Sequence, residues 1–118
     1  MQGPSRRERG QSAEQRACRY LQARGLRLRE RNARSRRGEI DLVMEDGATL
    51  VFVEVRFRRA AAHGSPLESV GPVKQQRLIR AAHAYLQRHR LDRPCRFDVV
   101  AITGDDLQWV ANAFDSGA

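Results

Sequence analysis

Two carboxylates stand inside otherwise apolar runs: Asp41 in Gly38-Glu39-Ile40-Asp41-Leu42-Val43, and Glu54 in Leu50-Val51-Phe52-Val53-Glu54-Val55-Arg56. Glu39 to Met44 and Thr49 to Phe57 read as strands rich in Val and Phe, joined by the tight connection Glu45-Asp46-Gly47. Near-continuous apolar character suits strands covered on both faces, so this hairpin belongs in the middle of a sheet. A carboxylate buried there is costly unless something pairs with it. Two on adjacent strands also repel each other. A divalent cation held by oxygen ligands reconciles them.

The rest of the chain supplies the cover. Ser12 is placed to cap a helix from about Ala13 to Arg24, ended by Gly25. Ala13, Ala17, Cys18, Tyr20 and Leu21 form its apolar face, and Glu14 lies on that face. Leu26 to Arg31 alternates as a half-exposed strand, and Asn32 to Arg37 reads as a basic turn. Arg58 to Pro72, broken by Gly64, Pro66 and Gly71-Pro72, reads as a loop with one short helical turn. Val73 to Arg90 is the second helix, with Leu78, Ile79, Ala82, Tyr85 and Leu86 as its stripe. Cys95 to Thr103 and Leu107 to Ala111 are strands about the turn Gly104-Asp105-Asp106. The order is α-β-β-β-α-β-β, an α/β arrangement with a mixed central sheet flanked by helices. Residues 1–10 are expected as a disordered basic tail and residues 11–115 as a single domain.

The chain carries a formal net charge of +8, which favours a polyanionic partner, nucleic acid before an anionic membrane surface. All 22 basic residues are arginine except Lys74. No apolar run reaches the ~20 residues of a membrane span. Residues 1–10 lack the apolar core of a secretory signal, so a cytoplasmic location is expected. Cys18 and Cys95 have neither zinc nor disulfide spacing and are expected as buried free thiols.

Hydrolysis of a phosphodiester needs an activated water, neutralisation of developing charge and help for the leaving oxygen, all of which one or two Mg²⁺ ions can supply. Asp41 and Glu54 offer carboxylate ligands, the neighbouring Val55 carbonyl another, and Glu14 completes an acidic cluster. Arg56, two residues after Glu54, shares its strand face. Seven arginines lie between Arg24 and Arg37 and lead directly into Asp41. Arg31, Arg34, Arg36 and Arg37 are therefore placed to track a phosphate backbone, with Arg58 and Arg59 closing over it. Only Phe57 and Trp109 are candidates to stack on a base, which favours backbone contact over single-strand readout. Asp98, also in an apolar strand, reads as a structural partner of an arginine.

Glu14, Gly38-Glu39-Ile40-Asp41-Leu42-Val43, Phe52-Val53-Glu54-Val55-Arg56-Phe57-Arg58, Lys74 and Arg96-Phe97-Asp98-Val99-Val100 together resemble the YraN-like family of uncharacterised bacterial proteins. That family looks like part of the restriction-endonuclease-like superfamily of PD-(D/E)xK nucleases and is similar in pattern to archaeal Holliday-junction resolvases. The resemblance implies an αβββαβ core, DNA cleavage dependent on Mg²⁺ or Mn²⁺, and a site at one edge of the sheet. It matches Asp41 to the motif aspartate, Glu54 to its (D/E), Arg56 to its lysine and Glu14 to the helix glutamate of the resolvases. Arginine stays charged and cannot act as a base, so Lys74 on the second helix becomes the candidate amine. A junction resolvase needs two sites, which a homodimer would provide.

Three functional readings follow. The leading one is a metal-dependent endonuclease acting on DNA, on branched or damaged structures. The alternative is a non-catalytic nucleic-acid-binding protein on the same scaffold, which Arg56 in place of lysine favours. The third is an interaction protein that docks on an acidic partner.

Overall fold

The computed structural model describes residues 6–59 and 66–115. The elements in chain order are α1 (Arg6–Ala23), β1 (Arg27–Ser35), β2 (Gly38–Asp46), β3 (Thr49–Arg58), a 3-10 turn (Pro66–Ser69), α2 (Pro72–His89), β4 (Cys95–Thr103) and β5 (Asp106–Phe114). The α/β class, the element order and the αβββαβ arrangement read from the sequence all hold. No helix among the described residues is long and apolar enough to cross a membrane.

Helix α1 begins about two turns before the Ser12 cap predicts, because Arg6, Arg7, Glu8 and Arg9 are strong helix formers. Ser12 therefore sits inside the helix. Of the tail expected over residues 1–10, the first five lie outside the described residues and the remainder are helical. The helix stops as expected at Gly25, whose φ of +96° suits glycine. Gly25 and Leu26 N–H donate back to Gln22 and Leu21 carbonyls, closing the orphan end of the helix. Helix α2 starts on Pro72 behind Gly71, a ring pre-set for a first helical position.

Strand β1 is longer than its sequence reading. Asn32 to Arg37 was expected as a turn, but pairing with β2 persists to Ser35↔Gly38 and only Arg36 and Arg37 turn. Burial accounts for this: Ala33 is buried opposite Ile40 and holds the strand in the sheet.

The five strands lie in the order β1-β2-β3-β4-β5, antiparallel except for the parallel β3–β4 pair joined through α2. Helix α1 covers one face, where Ala13, Ala17 and Leu21 meet Leu42, Met44, Val51, Val53, Val100 and Ile102. Helix α2 covers the other, where Leu78, Ile79, Ala82 and Tyr85 meet Val43, Leu50, Phe52, Phe97 and Val99. One irregularity positions the site. The β2–β3 ladder runs from Asp46↔Thr49 to Leu42↔Val53 and stops there, although β2 reaches back to Gly38 and β3 on to Arg58. Past that point β2 pairs with β1 and β3 with β4. The sheet forks.

Asp98 is 1% exposed and fully engaged. Its carboxylate accepts from Arg96 Nε (3.1 Å), Trp109 Nε1 (2.9 Å) and Asn112 N–H (2.9 Å). The last bond clamps the register shift between β4 and β5, where Asn112 takes a φ of +51°. The arginine partner expected for Asp98 is thus Arg96. Trp109 is a structural donor, packed edge-on against Tyr20, rather than a surface for stacking a base. Phe57 alone of the two remains half exposed. Trp109→Phe removes one donor from a buried carboxylate. It should cost about 1.5–3 kcal/mol, read as a lower urea midpoint with an unchanged slope. Cys18 is buried, as expected, whereas Cys95 is exposed because it opens β4 at the sheet end.

Candidate functional site

The two carboxyl groups singled out by the sequence meet at the fork. Asp41 is the first β2 residue beyond the last β2–β3 pair. Its side chain replaces the missing strand partner: Val55 N–H donates to Asp41 Oδ2 at 2.8 Å. The alternation along β2 breaks at this residue. Ile40 packs into the α2-side core, while Leu42, only two positions on, packs into the α1-side core. Glu54 follows Leu50 and Phe52 on the α2 face of β3 and is 5% exposed. From the first turn of α2, Lys74 Nζ lies 3.7 Å from Glu54 Oε1, with its own side chain partly exposed. Arg56 is half-buried one pleat further along β3.

The fork sets the protonation of the pair. Burial, then the charge of Asp41, pushes Glu54 from its ordinary 4.5 up to about 8, while Lys74 and Arg56 pull it back. Burial also raises Asp41, opposed by the Val55 N–H and by Lys74. A hydrogen bond between the two side chains favours ionised Asp41 and protonated Glu54. Near neutral pH the two carboxyls therefore hold one proton between them.

Glu14 is half-buried on α1 and neighbours Asp41. Burial first, then the Asp41 charge, raises its carboxyl, and a hydrogen bond from Asn32 opposes the rise. With the Asn32 amide oriented to satisfy both ends, its nitrogen donates to Glu14 Oε2 and to Glu39 Oε1, each at 3.0 Å. Asn32 is the site residue that sequence reasoning missed. Its signal was an asparagine amid arginines in a strand, a residue type that tolerates the positive φ of 52° found there.

Among the described residues, no three His, Cys, Asp or Glu side chains converge tightly enough to hold a metal ion on their own. The donors present are two carboxyl groups forced together in a buried fork, with Glu14 beside them and an ammonium on the α2 side. Such a set fits a hard divalent cation, which would displace the shared proton and fill its remaining positions with water. Val55 enters the site by its N–H.

The arginines proposed to bind nucleic acid divide into groups. Arg31 acts electrostatically on Glu14, so it borders the acidic side chains. Arg34 lies 3.8 Å from Glu39, and Arg36 and Arg37 are exposed in the β1–β2 turn. Arg58 donates to Gln108 on β5 at 3.2 Å, and Arg59 is exposed just past β3. Other members of the run are committed elsewhere. Arg24 stacks on Tyr20, and Arg29 binds the Tyr85 hydroxyl.

Residues 13–102 match the model of a family described as uncharacterised protein family UPF0102. A UPF0102 protein of Nitrosococcus oceani is 52% identical over 120 aligned residues, covering 97% of each chain. One from Shewanella amazonensis is 56% identical over 105 residues, 89% of this chain and 97% of its own. One from Stutzerimonas stutzeri is 57% identical over 113 residues, covering 91% and 94%.

Proposed function

The chain belongs to the uncharacterised protein family UPF0102, and on the site it carries we propose that it is a metal-dependent endonuclease hydrolysing phosphodiester bonds in DNA, with branched or damaged structures as preferred substrates. The observation that carries this reading is the fork itself: a buried carboxyl and a half-buried one meet where a sheet splits, beside an ammonium. A plain core gains nothing from such an arrangement, since apolar residues of similar size would be no less stable. The order of elements and the place of Asp41 and Glu54 on neighbouring strands are those expected of a restriction-endonuclease-like nuclease related to the archaeal resolvases. A homodimer would present two such sites to a junction.

In this reading Asp41 and Glu54 hold a Mg²⁺ or Mn²⁺ ion, assisted by Glu14 and the Val55 carbonyl. The bound ion would supply Lewis acidity for the attacking water and for the charge on the phosphoryl oxygens. Arg56, permanently charged, pairs with a non-bridging phosphate oxygen. Lys74, within reach of Glu54, orients the attacking water and supplies the amine that Arg56 does not. In the balanced step, a water oxygen bonds to phosphorus as the bond to the leaving deoxyribose oxygen breaks, the attacking water gives one proton to solvent, and the departing oxygen takes one from solvent. Lys74→Gln is expected to slow cleavage about 10- to 100-fold, the worth of one charge-assisted hydrogen bond, with DNA affinity changed far less. Arg56→Lys should retain activity. Equal rates for Lys74→Gln and the parent protein would remove Lys74 from the mechanism.

The second reading, a nucleic-acid-binding protein without catalysis, draws on Arg56 in the lysine position and on the lack of a tight three-carboxylate cluster among the described residues. Cleavage of labelled duplex, single strand, flap and four-way junction in Mg²⁺, Mn²⁺ or EDTA separates the two. Metal-dependent cutting supports the nuclease. Binding without cutting in every metal supports the second reading.

A further inference from the structure

The strongest charged feature outside the fork is a groove between the β1–β2 turn and α2, lined by Arg37 from the turn and by Arg80, His83, Ala84 and Gln87 from the helix. No carboxylate lines it. The turn is seated firmly on the helix. A Cβ on Gly38 would stand 3.8 Å from Ala81 Cβ and 3.9 Å from the Arg77 carbonyl, and the φ of +138° there suits glycine. The groove walls are therefore held by packing.

Four other arginines are committed to carboxylates. Arg29 and Arg93 pair with Glu45, Arg34 with Glu39, and Arg96 with Asp46 and Asp98. None of the ion pairs among the described residues includes Arg37 or Arg80. Two planar, permanently charged forks thus face one groove from separate elements, with the Gln87 amide and the His83 ring as further donors. That inventory suits a phosphate anion, which accepts bidentate bonds from arginine.

The groove also points toward the fork. Lys74, Arg77 and Arg80 follow one another at three-residue intervals along α2, so each is the neighbour of the next on the helix surface. Lys74 and Arg80 are about 9 Å apart along the axis.

We infer that this groove binds the phosphodiester backbone of a double-stranded nucleic acid, one strand continuing past Arg77 and Lys74 toward the Asp41–Glu54 fork. The inference rests on the nucleic-acid reading above and assigns Arg77, Arg80, His83 and Gln87 to substrate positioning. The test is fluorescence anisotropy of a labelled DNA duplex and of an RNA duplex with the full chain, in EDTA so that cleavage plays no part. Salt is varied from about 50 to about 200 mM. Arg37→Gln/Arg80→Gln is compared with Arg19→Gln/Arg27→Gln, which removes the same charge away from the groove. The groove variant is expected to lose at least tenfold in affinity for one or both duplexes. Its log–log salt slope should fall by about 1.8, since each phosphate contact contributes about 0.9. The control should lose no more than about twofold, with the melting temperature of both variants confirming the fold. Equal behaviour of the two variants would overturn the groove while leaving the nuclease reading intact; parent protein that binds neither duplex in a salt-dependent way would overturn the groove and count against the nucleic-acid reading as well. Loss of affinity in the groove variant together with persistent cutting by Asp41→Asn would support the groove and overturn only the assignment of the chemistry to the fork.

Discussion

Asp41→Asn is expected to abolish metal-dependent cleavage, a fall of at least about 10³-fold, while DNA binding stays equal or tightens. Asp41 is the residue on which the fork depends. It accepts the Val55 N–H, shares a proton with Glu54 and borders Glu14. An asparagine oxygen can still accept from Val55 N–H, so the fork keeps its geometry. What disappears is one negative charge, and with it an anionic ligand to a divalent cation. Groups that merely orient a metal ligand are worth 10- to 100-fold each, and loss of the ligand itself costs more. Binding is expected to survive because removing a carboxylate lessens repulsion of the phosphates. The check is a single-turnover assay on the substrate the parent protein cuts best, with anisotropy run alongside. Persistent cutting by the variant would show that the chemistry lies elsewhere.

Metal-free protein is expected to lose stability as pH rises through 8, opposite to the trend of a protein whose carboxylates are salt-bridged. The folded state holds Glu54 at about 8, against 4.5 for an unperturbed glutamate. Between those values the folded chain keeps a proton that the unfolded chain has released, so raising pH favours unfolding. The contribution is fully present below about pH 4.5 and is lost as pH passes 8. It amounts to about 2–4 kcal/mol for a pair that titrates together. Glu54→Gln keeps the shape and cannot ionise, so its melting temperature should fall far less over this range and exceed that of the parent by roughly 5–15 °C at pH 8. Mn²⁺ or Mg²⁺ should restore the parent at pH 8 and have no effect on Glu54→Gln. Melting curves of the two proteins that run parallel from pH 5 to 9 would show that Glu54 ionises normally. The rise in the Glu54 pKa follows from burial first and from Asp41 second, so Asp41→Asn should flatten the curve only partly.

The two predictions test different links. The first asks whether the fork does chemistry. The second asks whether it is an electrostatic trap for a cation, and it needs no substrate. A protein that passes the second and fails the first would be a binding scaffold with a metal site.

Much of the fold was legible in the chain because its signals are local. Gly25 ends α1 through its own backbone freedom, Pro72 opens α2, and the Val- and Phe-rich run from Thr49 carries β3. The acidic pair was also legible, since Asp41 and Glu54 are anomalies within their own strands. The failures have equally specific causes. Ser12 resembles a helix cap, yet α1 runs through it because four good helix formers precede it. Asn32 to Arg37 resembles a turn, yet most of it is strand because Ala33 is buried against a partner that its immediate neighbours do not reveal. Trp109 looked available to a base until its indole N–H was found on Asp98, eleven residues away.

Element order, helix and strand type, the excess of arginine and the identity of the two carboxyls set in apolar strands were determined by the sequence alone. They rest on periodicity, turn chemistry and composition, which act over a few residues. Tertiary structure alone decided that the β2–β3 ladder stops at Leu42↔Val53, that Asp41 fills the gap, that Lys74 reaches Glu54, and that Arg37 and Arg80 share a groove. Each of these joins separate elements of the fold. A strand pattern records which residues are buried. It does not record where two strands part, because the balance between a backbone ladder and a side-chain substitute depends on what the neighbouring strands and helices offer at that point.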